Sequence, residues 1–254
     1  MEKATNTPHC EWFRDWFDEN YQMVYSHRTD AEAEDFVDHW RLDWNAFVGK
    51  RALDLGCGNG RFSRAITNRG VKVVGVDLSR DQLTLAAGSP ASVQSLIRAD
   101  MRQLPLKRGF SLIVSLFTSF GYFETDREHD LVLRDLADLL LPSGVIVMDL
   151  PCRESAMREV RANPITIREI NGVRVTESRR LTTGDSRFEK EIILESSGQV
   201  SKYRESVRLF GAEELLDMTR RAHLTQLEPL WGDYSGGEMS ETKSRMVYFG
   251  RKNG

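Results

Sequence analysis

From Arg51 to Pro151, short apolar runs alternate with amphipathic segments, the pattern of repeated β-α units around a parallel sheet. Strands are expected at Ala52–Leu55, Lys72–Val76, Ser95–Ala99, Ser111–Leu116 and Val145–Leu150. Between them, Ser79 with Gln82 and Thr125 with Glu128 have capping-box spacing, and Gly70 and Pro142 mark helix ends. After Pro151 the alternation stops. Ile165–Ile170, Val173–Leu181, Ser186–Glu195 and Val200–Leu209 read as strands joined by the turn signals Asn171-Gly172, Gly184-Asp185 and Ser197-Gly198, an antiparallel insertion late in an α/β chain. A helix over Ala212–Arg221 and strand signals at Leu227–Leu230 and Arg245–Phe249, around the loop Gly232–Gly237, complete the pattern.

The first 50 residues are aromatic and acidic. Trp12, Phe13, Trp16, Phe17, Tyr21 and Tyr25 precede an expected helix over Asp30–Asp43 in which Phe36, Val37 and Trp40 share a face, so this segment reads as a cover for a later domain. The chain divides into a helical cover (1–49), an α/β core (50–151), an antiparallel insertion (152–210) and a closing helix with strands (211–254).

With 254 residues and 40% hydrophobic content the chain can bury one sizeable core. A net charge of −3 without any block of basic residues gives no phosphate-tracking surface and argues against nucleic acid. No apolar run is long enough to span a bilayer and Met1–Cys10 lacks signal-peptide character, so the expectation is a cytoplasmic protein without a membrane partner. Cys10, Cys57 and Cys152 are odd in number and widely spaced, which indicates neither a disulfide framework nor a metal site.

Candidate chemistry begins at Asp54-Leu55-Gly56-Cys57-Gly58-Asn59-Gly60, where the first strand turns into a helix. Glycines there let backbone amides approach a ligand; a ligand-free tight corner is the bland alternative. The spacing is Gly-x-Gly-x-Gly rather than the dinucleotide Gly-x-Gly-x-x-Gly, and the preceding Asp54 suits an ammonium better than a phosphate. Asp77 closes the second strand, placed to accept from ribose hydroxyls, and Asp100 follows the third, placed to accept from an adenine amine. Acids at successive strand ends share the ligand-binding edge of an open α/β sheet.

These residues resemble a known superfamily. Leu53 to Gly60 is similar to motif I of class I S-adenosylmethionine-dependent methyltransferases, Val74-Gly75-Val76-Asp77-Leu78-Ser79 to motif II, and Ala99-Asp100-Met101 to the adenine motif. The resemblance implies an α/β, Rossmann-like sheet of seven strands, mostly parallel, with the last strand, Arg245–Phe249, antiparallel. It implies S-adenosylmethionine as cofactor, its methionine part held by Asp54 with Gly56, Cys57, Gly58 and Gly60, its ribose by Asp77, and its adenine by Asp100, the Met101 amide and Leu78.

The Asn/Asp-Pro-Pro-aromatic motif of exocyclic-amine nucleic-acid methyltransferases is replaced by Ser115-Leu116-Phe117-Thr118-Ser119-Phe120, and Pro151-Cys152 follows the fifth strand rather than the fourth, against a cytosine-C5 enzyme. What remains resembles glycine N-methyltransferase-like and natural-product N- or O-methyltransferases. In those relatives the N-terminal helices and the inserted sheet form a lid over a small-molecule acceptor. Tyr25 and Phe117 are candidates for cation–π contact with the sulfonium, and Arg28, by the resemblance, for pairing with the cofactor carboxylate. His27 is the only candidate general base, with a packed or surface histidine as its plainer reading. Arg174, Glu177, Arg179, Tyr203, Arg204, Arg208, Tyr234 and Arg245 are candidate acceptor contacts. A homodimer is compatible with the sequence. An NAD-dependent oxidoreductase and a cofactor-binding, non-catalytic regulator remain as alternatives.

Overall fold

A computed structural model describes residues 9–89, 95–182, 184 and 186–253. Asp185 of the second turn signal and most of the Met1–Cys10 segment lie outside the described residues. In chain order, a 3-10 turn (His9–Arg14) and two short helices, α1 (Glu19–Val24) and α2 (Asp30–Asp38), lead into β1 (Arg51–Leu55), α3 (Arg61–Thr67), β2 (Lys72–Asp77), α4 (Arg80–Ala87), β3 (Ser95–Arg98), β4 (Phe110–Ser115), α5 (Asp126–Leu139) and β5 (Leu140–Pro151). Then follow α6 (Arg153–Ala162), β6 (Ile165–Ile170), β7 (Val173–Leu181), β8 (Arg187–Ser196), β9 (Gln199–Arg208), α7 (Ala212–Arg221), β10 (Leu224–Gln226) and β11 (Arg245–Lys252).

The main sheet has seven strands in the order β10-β11-β5-β4-β1-β2-β3. β1 to β5 run parallel, and β11 is antiparallel to both β5 and β10. Burial explains the sequence pattern: all six residues of β4 and four of five in β1 are buried, as strands covered on both faces require. The strand order reverses between β1 and β4, and the crevice beyond their carboxyl ends is where such sheets bind ligands.

Two expectations shift at boundaries. α2 stops at Asp38, five residues early, because His39 and Trp40 close it with turn bonds to Phe36 and Val37. The penultimate strand is Leu224–Gln226 rather than Leu227–Leu230. His223, at φ 58°, turns the chain straight from α7 into that strand, and Pro229, which has no N–H to donate, falls in the loop beyond it. Thr125 and Glu128 form the full reciprocal capping box. Ser79 makes only its half, since the Gln82 side chain meets Gln22 and the Phe17 carbonyl instead.

β6 to β9 form the expected antiparallel sheet, a meander in sequence order. The N-terminal cover divides between two partners. Ala33, Phe36, Val37 and Trp40 of the α2 segment pack with Phe62, Ala65 and Ile66 of α3 against the main sheet. Trp12, Phe13, Trp16 and Val24 instead pack on Val175, Ile192, Leu194 and Val207 of the inserted sheet. Trp12 Nε1 donates to the Ser206 carbonyl at 3.1 Å, which fixes this arm to β9.

Candidate cofactor and acceptor site

The corner after β1 is built by glycine. Gly56 has φ +70°, and a Cβ there would stand 2.6 Å from Ser119 Cβ and Oγ; only a residue without a side chain lets the loops after β1 and β4 meet. Gly58 also has positive φ (+55°). Its amide donates to Asp77 Oδ2 at 2.8 Å, while the Ser79 amide donates to Asp77 Oδ1 at 2.8 Å. The second acid therefore fixes the shape of the glycine turn as well as facing the cavity beside it. Burial raises the Asp77 pKa despite these amides.

Asp54 is almost fully buried (2% exposed) and accepts a 2.5 Å hydrogen bond from Ser63 Oγ of α3. Burial pushes its carboxyl up to about 6, with the Asp77 charge adding to the rise and Ser63 opposing it. Asp100 is raised by burial, but Arg102 outweighs that: its backbone amide and guanidinium bind both Asp100 oxygens, and the net pKa lies below the ordinary value. Glu11 and Glu128 also bind the Arg102 guanidinium, and Arg14 lies 3.5 Å from Asp100, so an ion-pair network straps the N-terminal arm over this end of the crevice.

Together these elements enclose about 1090 Å³ of space, partly open to solvent, lined among others by Asp54, Gly56, Cys57, Gly58, Asp77, Leu78, Asp100, Met101, Tyr25, Arg28 and Phe117. Eleven of the twelve expected cofactor residues thus face one cavity. Gly60 does not; at φ +83° it opens α3 one step beyond. Cys57 contributes its backbone, for its thiol is turned toward β2, where a Cβ on Gly75 would lie 2.9 Å from Sγ. His27 is exposed and lines neither this cavity nor the next. Partial desolvation and the nearby Arg28 and Arg168 lower its pKa, and the base role finds no geometric support.

Arg28 and Arg61 both line this cavity, and Arg28 is the one held among its aromatic rings. Its guanidinium lies between the rings of Tyr25 and Phe117, 3.9 and 4.0 Å from their centroids, and Nη1 donates to the Tyr21 hydroxyl at 2.6 Å. Its Nε is buried without a hydrogen-bond partner among the described residues, an unsatisfied donor of the kind a bound carboxylate relieves.

Phe117 is held from behind. Phe117 and Thr118 both have positive φ (57° and 66°), a conformation costing side-chain-bearing residues about 1–2 kcal/mol each. Asp149, fully buried at the end of β5, accepts from the Phe117 amide, from the Tyr234 hydroxyl at 2.8 Å and from Arg245 Nε at 2.7 Å, and Arg245 Nη2 donates to Thr118 Oγ1 at 3.1 Å.

A second cavity adjoins the first, and Phe17, Tyr21, Tyr25, Arg28, Phe117 and Tyr122 line both. Its far walls come from Pro151, Ala156 and Glu159, from Arg245, and from Arg179, Phe188, Lys190 and Glu205 of the inserted sheet. Of the candidate acceptor contacts, Arg179 and Arg245 line it. Glu177 sits behind Arg179 and Lys190, and Tyr203 bonds Asp18 and Asn20. Arg174, Arg204 and Arg208 pair elsewhere, with Glu195, Glu189 and Asp126 respectively. Sequence reasoning missed Phe13, Phe17, Gln22, Gln82, Ser119, Lys190 and Glu205. The only signal for the last two was their charge on strands with otherwise alternating patterns.

Residues 52–144 match the family described as methyltransferase domain. Residues 52–144 thus carry a methyltransferase domain. Over 119 residues it is 34% identical to dTDP-3-amino-3,4,6-trideoxy-alpha-D-glucopyranose N,N-dimethyltransferase of Streptomyces venezuelae, covering 47% of this chain and 49% of that one. The chain thus spans about half the length of this curated relative. In structure, it is similar to an S-adenosylmethionine-dependent methyltransferase from Clostridium acetobutylicum, with a TM-score of 0.79 at 18% identity over 92% of this chain and 96% of that chain. Streptomyces venezuelae DesVI matches with a TM-score of 0.62 at 26% identity over 93% and 97%. Both likenesses agree with the seven-stranded domain and its antiparallel closing strand. No helix among the described residues is long and apolar enough to cross a membrane.

Proposed function

We propose that the protein transfers the methyl group of S-adenosylmethionine to a small molecule, at nitrogen rather than oxygen. The observation that carries this reading is the joining of two cavities at a shared throat of Tyr21, Tyr25, Arg28, Phe117 and Tyr122. One has the groups a methionine-and-adenosine ligand needs, and the other has room for an acceptor. Nitrogen is favoured because the Streptomyces venezuelae relative is named for dimethylating an amino sugar.

On this reading the buried Asp54 carboxylate attracts the ammonium of the donor, and the unsatisfied Arg28 Nε takes its carboxylate. Asp77, with its two amide bonds already made, accepts from the ribose hydroxyls with its remaining lone pairs. Leu78, Met101 and Asp100 flank the adenine; since Arg102 already binds Asp100, an adenine amine shares that carboxylate rather than having it alone. The cofactor supplies a methyl group on a sulfonium sulfur. The chain's contribution is to align donor and acceptor and to keep water out, through the N-terminal arm, the inserted sheet and the aromatic throat. Residues 50–151 with 211–254 form the donor-binding core, and 1–49 with 152–210 the acceptor lid. Neither nucleic acid nor membrane has a part in this reading, which holds for a monomer or a homodimer.

Isothermal titration of the full chain with S-adenosylmethionine and S-adenosylhomocysteine tests the reading. Micromolar binding of both supports it. Failure of both to bind removes it.

A further inference from the structure

Tyr25 lines both cavities, and its hydroxyl is held by two groups from the inserted sheet. Its O–H donates to Glu205 Oε1 at 2.7 Å, and Lys190 Nζ donates to the Tyr25 oxygen. Lys190 also pairs with Glu205 Oε2 at 2.7 Å, and Trp16 Nε1 donates to Glu205 Oε1 at 2.7 Å. Lys190 on β8 and Glu205 on β9 are register partners, so the ladder itself fixes their meeting. Lys190 is 7% exposed and the Glu205 side chain 13%.

The hydrogen-bond inventory settles how this group is polarised. An ionised Glu205 only accepts, so the Tyr25 O–H donates its hydrogen bond to it; Lys190 only donates, so it occupies one lone pair of the phenol oxygen. One lone pair remains for a ligand. Burial would raise Glu205, but Lys190, Tyr25 and Trp16 hold it below its ordinary value. A carboxylate so stabilised is a poor sink for a proton from an ammonium, which argues for positioning rather than for base catalysis.

We propose that Lys190 and Glu205 are positioning residues that hold Tyr25 as a hydrogen-bond acceptor for an N–H of the methyl acceptor, so that the site selects primary and secondary amines and stops at the tertiary amine. The inference rests on the N-methyltransferase reading above. With one N–H bound to Tyr25, the nitrogen lone pair is directed at the donor methyl. The nitrogen–carbon bond forms with that pair as the carbon–sulfur bond breaks, its electrons remaining on sulfur. The positive charge passes to nitrogen, and the extra proton leaves to water after release. A tertiary amine has no N–H for Tyr25 and is not oriented.

The test uses the full chain with saturating S-adenosylmethionine and four ring-sized probes: cyclohexylamine, its N-methyl and N,N-dimethyl derivatives, and cyclohexanol. The expected result is turnover of the primary and secondary amines and none of the tertiary amine. Tyr25→Phe should lower kcat by about thirtyfold while leaving KM within about threefold. Wild-type kcat in Tyr25→Phe, or turnover of the tertiary amine, overturns the inference and leaves the methyltransferase reading standing. Turnover of cyclohexanol alone overturns the nitrogen reading and the inference with it. A tyrosinate titration by absorbance needs no acceptor and decides the matter if none of the probes reacts. Burial and Glu205 raise the Tyr25 pKa well above its ordinary value. Glu205→Gln, which leaves Lys190 beside the phenol, should bring one tyrosine equivalent down, and that equivalent should vanish in Tyr25→Phe/Glu205→Gln. An unchanged titration overturns the inference.

Discussion

The backbone amide of Phe117 donates to Oδ2 of Asp149 at 2.8 Å, so a carboxylate at the end of β5 holds the loop after β4 in its left-handed turn. The same carboxylate binds Arg245 and Tyr234, and three parts of the fold converge on one buried charge. Asp149→Ala leaves Arg245 without its counter-ion and frees the Phe117 turn. A loss of about 3–5 kcal/mol in urea unfolding is expected, the usual cost of removing one partner of a buried pair. Asp149→Asn, which keeps the acceptor oxygen, should lose less. A loss under about 1 kcal/mol for Asp149→Ala would show that the network does not anchor the loop.

On the function proposed above, Asp54 should make binding of the methyl donor depend on pH. Its folded pKa, about 6, lies above the ordinary 3.8. The native state therefore holds the proton more tightly than the unfolded chain, and this group's contribution to stability is lost as pH rises from about 4 through 6. The shift corresponds to about 3 kcal/mol at most. Asp54→Asn, which keeps an acceptor for Ser63, should gain stability over the wild type at pH 8 and little at pH 4. Ammonium binding needs the ionised form, so wild-type affinity for S-adenosylhomocysteine should rise with pH up to about 6 and then level. Calorimetric titrations at pH 5 and 7.5 with equal affinity would remove the ammonium role.

Asp77→Ala should weaken S-adenosylhomocysteine binding by about ten- to a hundredfold, the effect of losing hydrogen bonds to a charged acceptor. Part of that loss comes through Gly58, whose amide donates to Asp77. An unchanged circular dichroism spectrum with unchanged affinity would exclude the ribose role.

The legible part of the site was that carried by motifs on the parallel core. Gly56, Asp77 and Asp100 stand at strand ends, where the chain's own period fixes which way they face, and the structure brings them to one cavity. Arg28 was legible only through resemblance; its stacking between Tyr25 and Phe117 depends on a contact across 89 positions of sequence. Lys190 and Glu205 were not legible. In an antiparallel strand a charged residue at an inward position looks like one at an outward position, and only the register of β8 with β9 makes them partners. The strand before β11 was misplaced for a local reason: Leu227 and Trp231 still bond to Phe249 and Val247 of β11, but Pro229 between them has no N–H to continue the ladder.

Two hairpins of the inserted sheet offer an internal comparison. Asn171-Gly172 and Ser197-Gly198 have nearly the same turn angles, with φ of 51° and 77° in one and 48° and 78° in the other. Asparagine tolerates the left-handed position better than serine. Ser197→Asn should therefore stabilise the protein by about 0.5–1 kcal/mol, read as a higher urea midpoint at constant slope. A lower midpoint would show that the serine has a role of its own.

The throat between the two cavities joins segments that lie far apart along the chain. The first cavity is lined by residues between 54 and 123 and by Phe13, Phe17, Tyr21, Gln22, Tyr25 and Arg28 of the N-terminal arm, whereas the second draws on that arm, α6, the inserted sheet and β11. Mutations that reshape the acceptor walls thus fall mostly on stretches the donor motifs do not use. On the proposed function, a library confined to β7, β8 and β9 should retarget the protein while its demand for methyl donor stays constant. Phe17, Tyr21, Tyr25, Arg28, Phe117 and Tyr122, which line both cavities, are the positions where that independence ends.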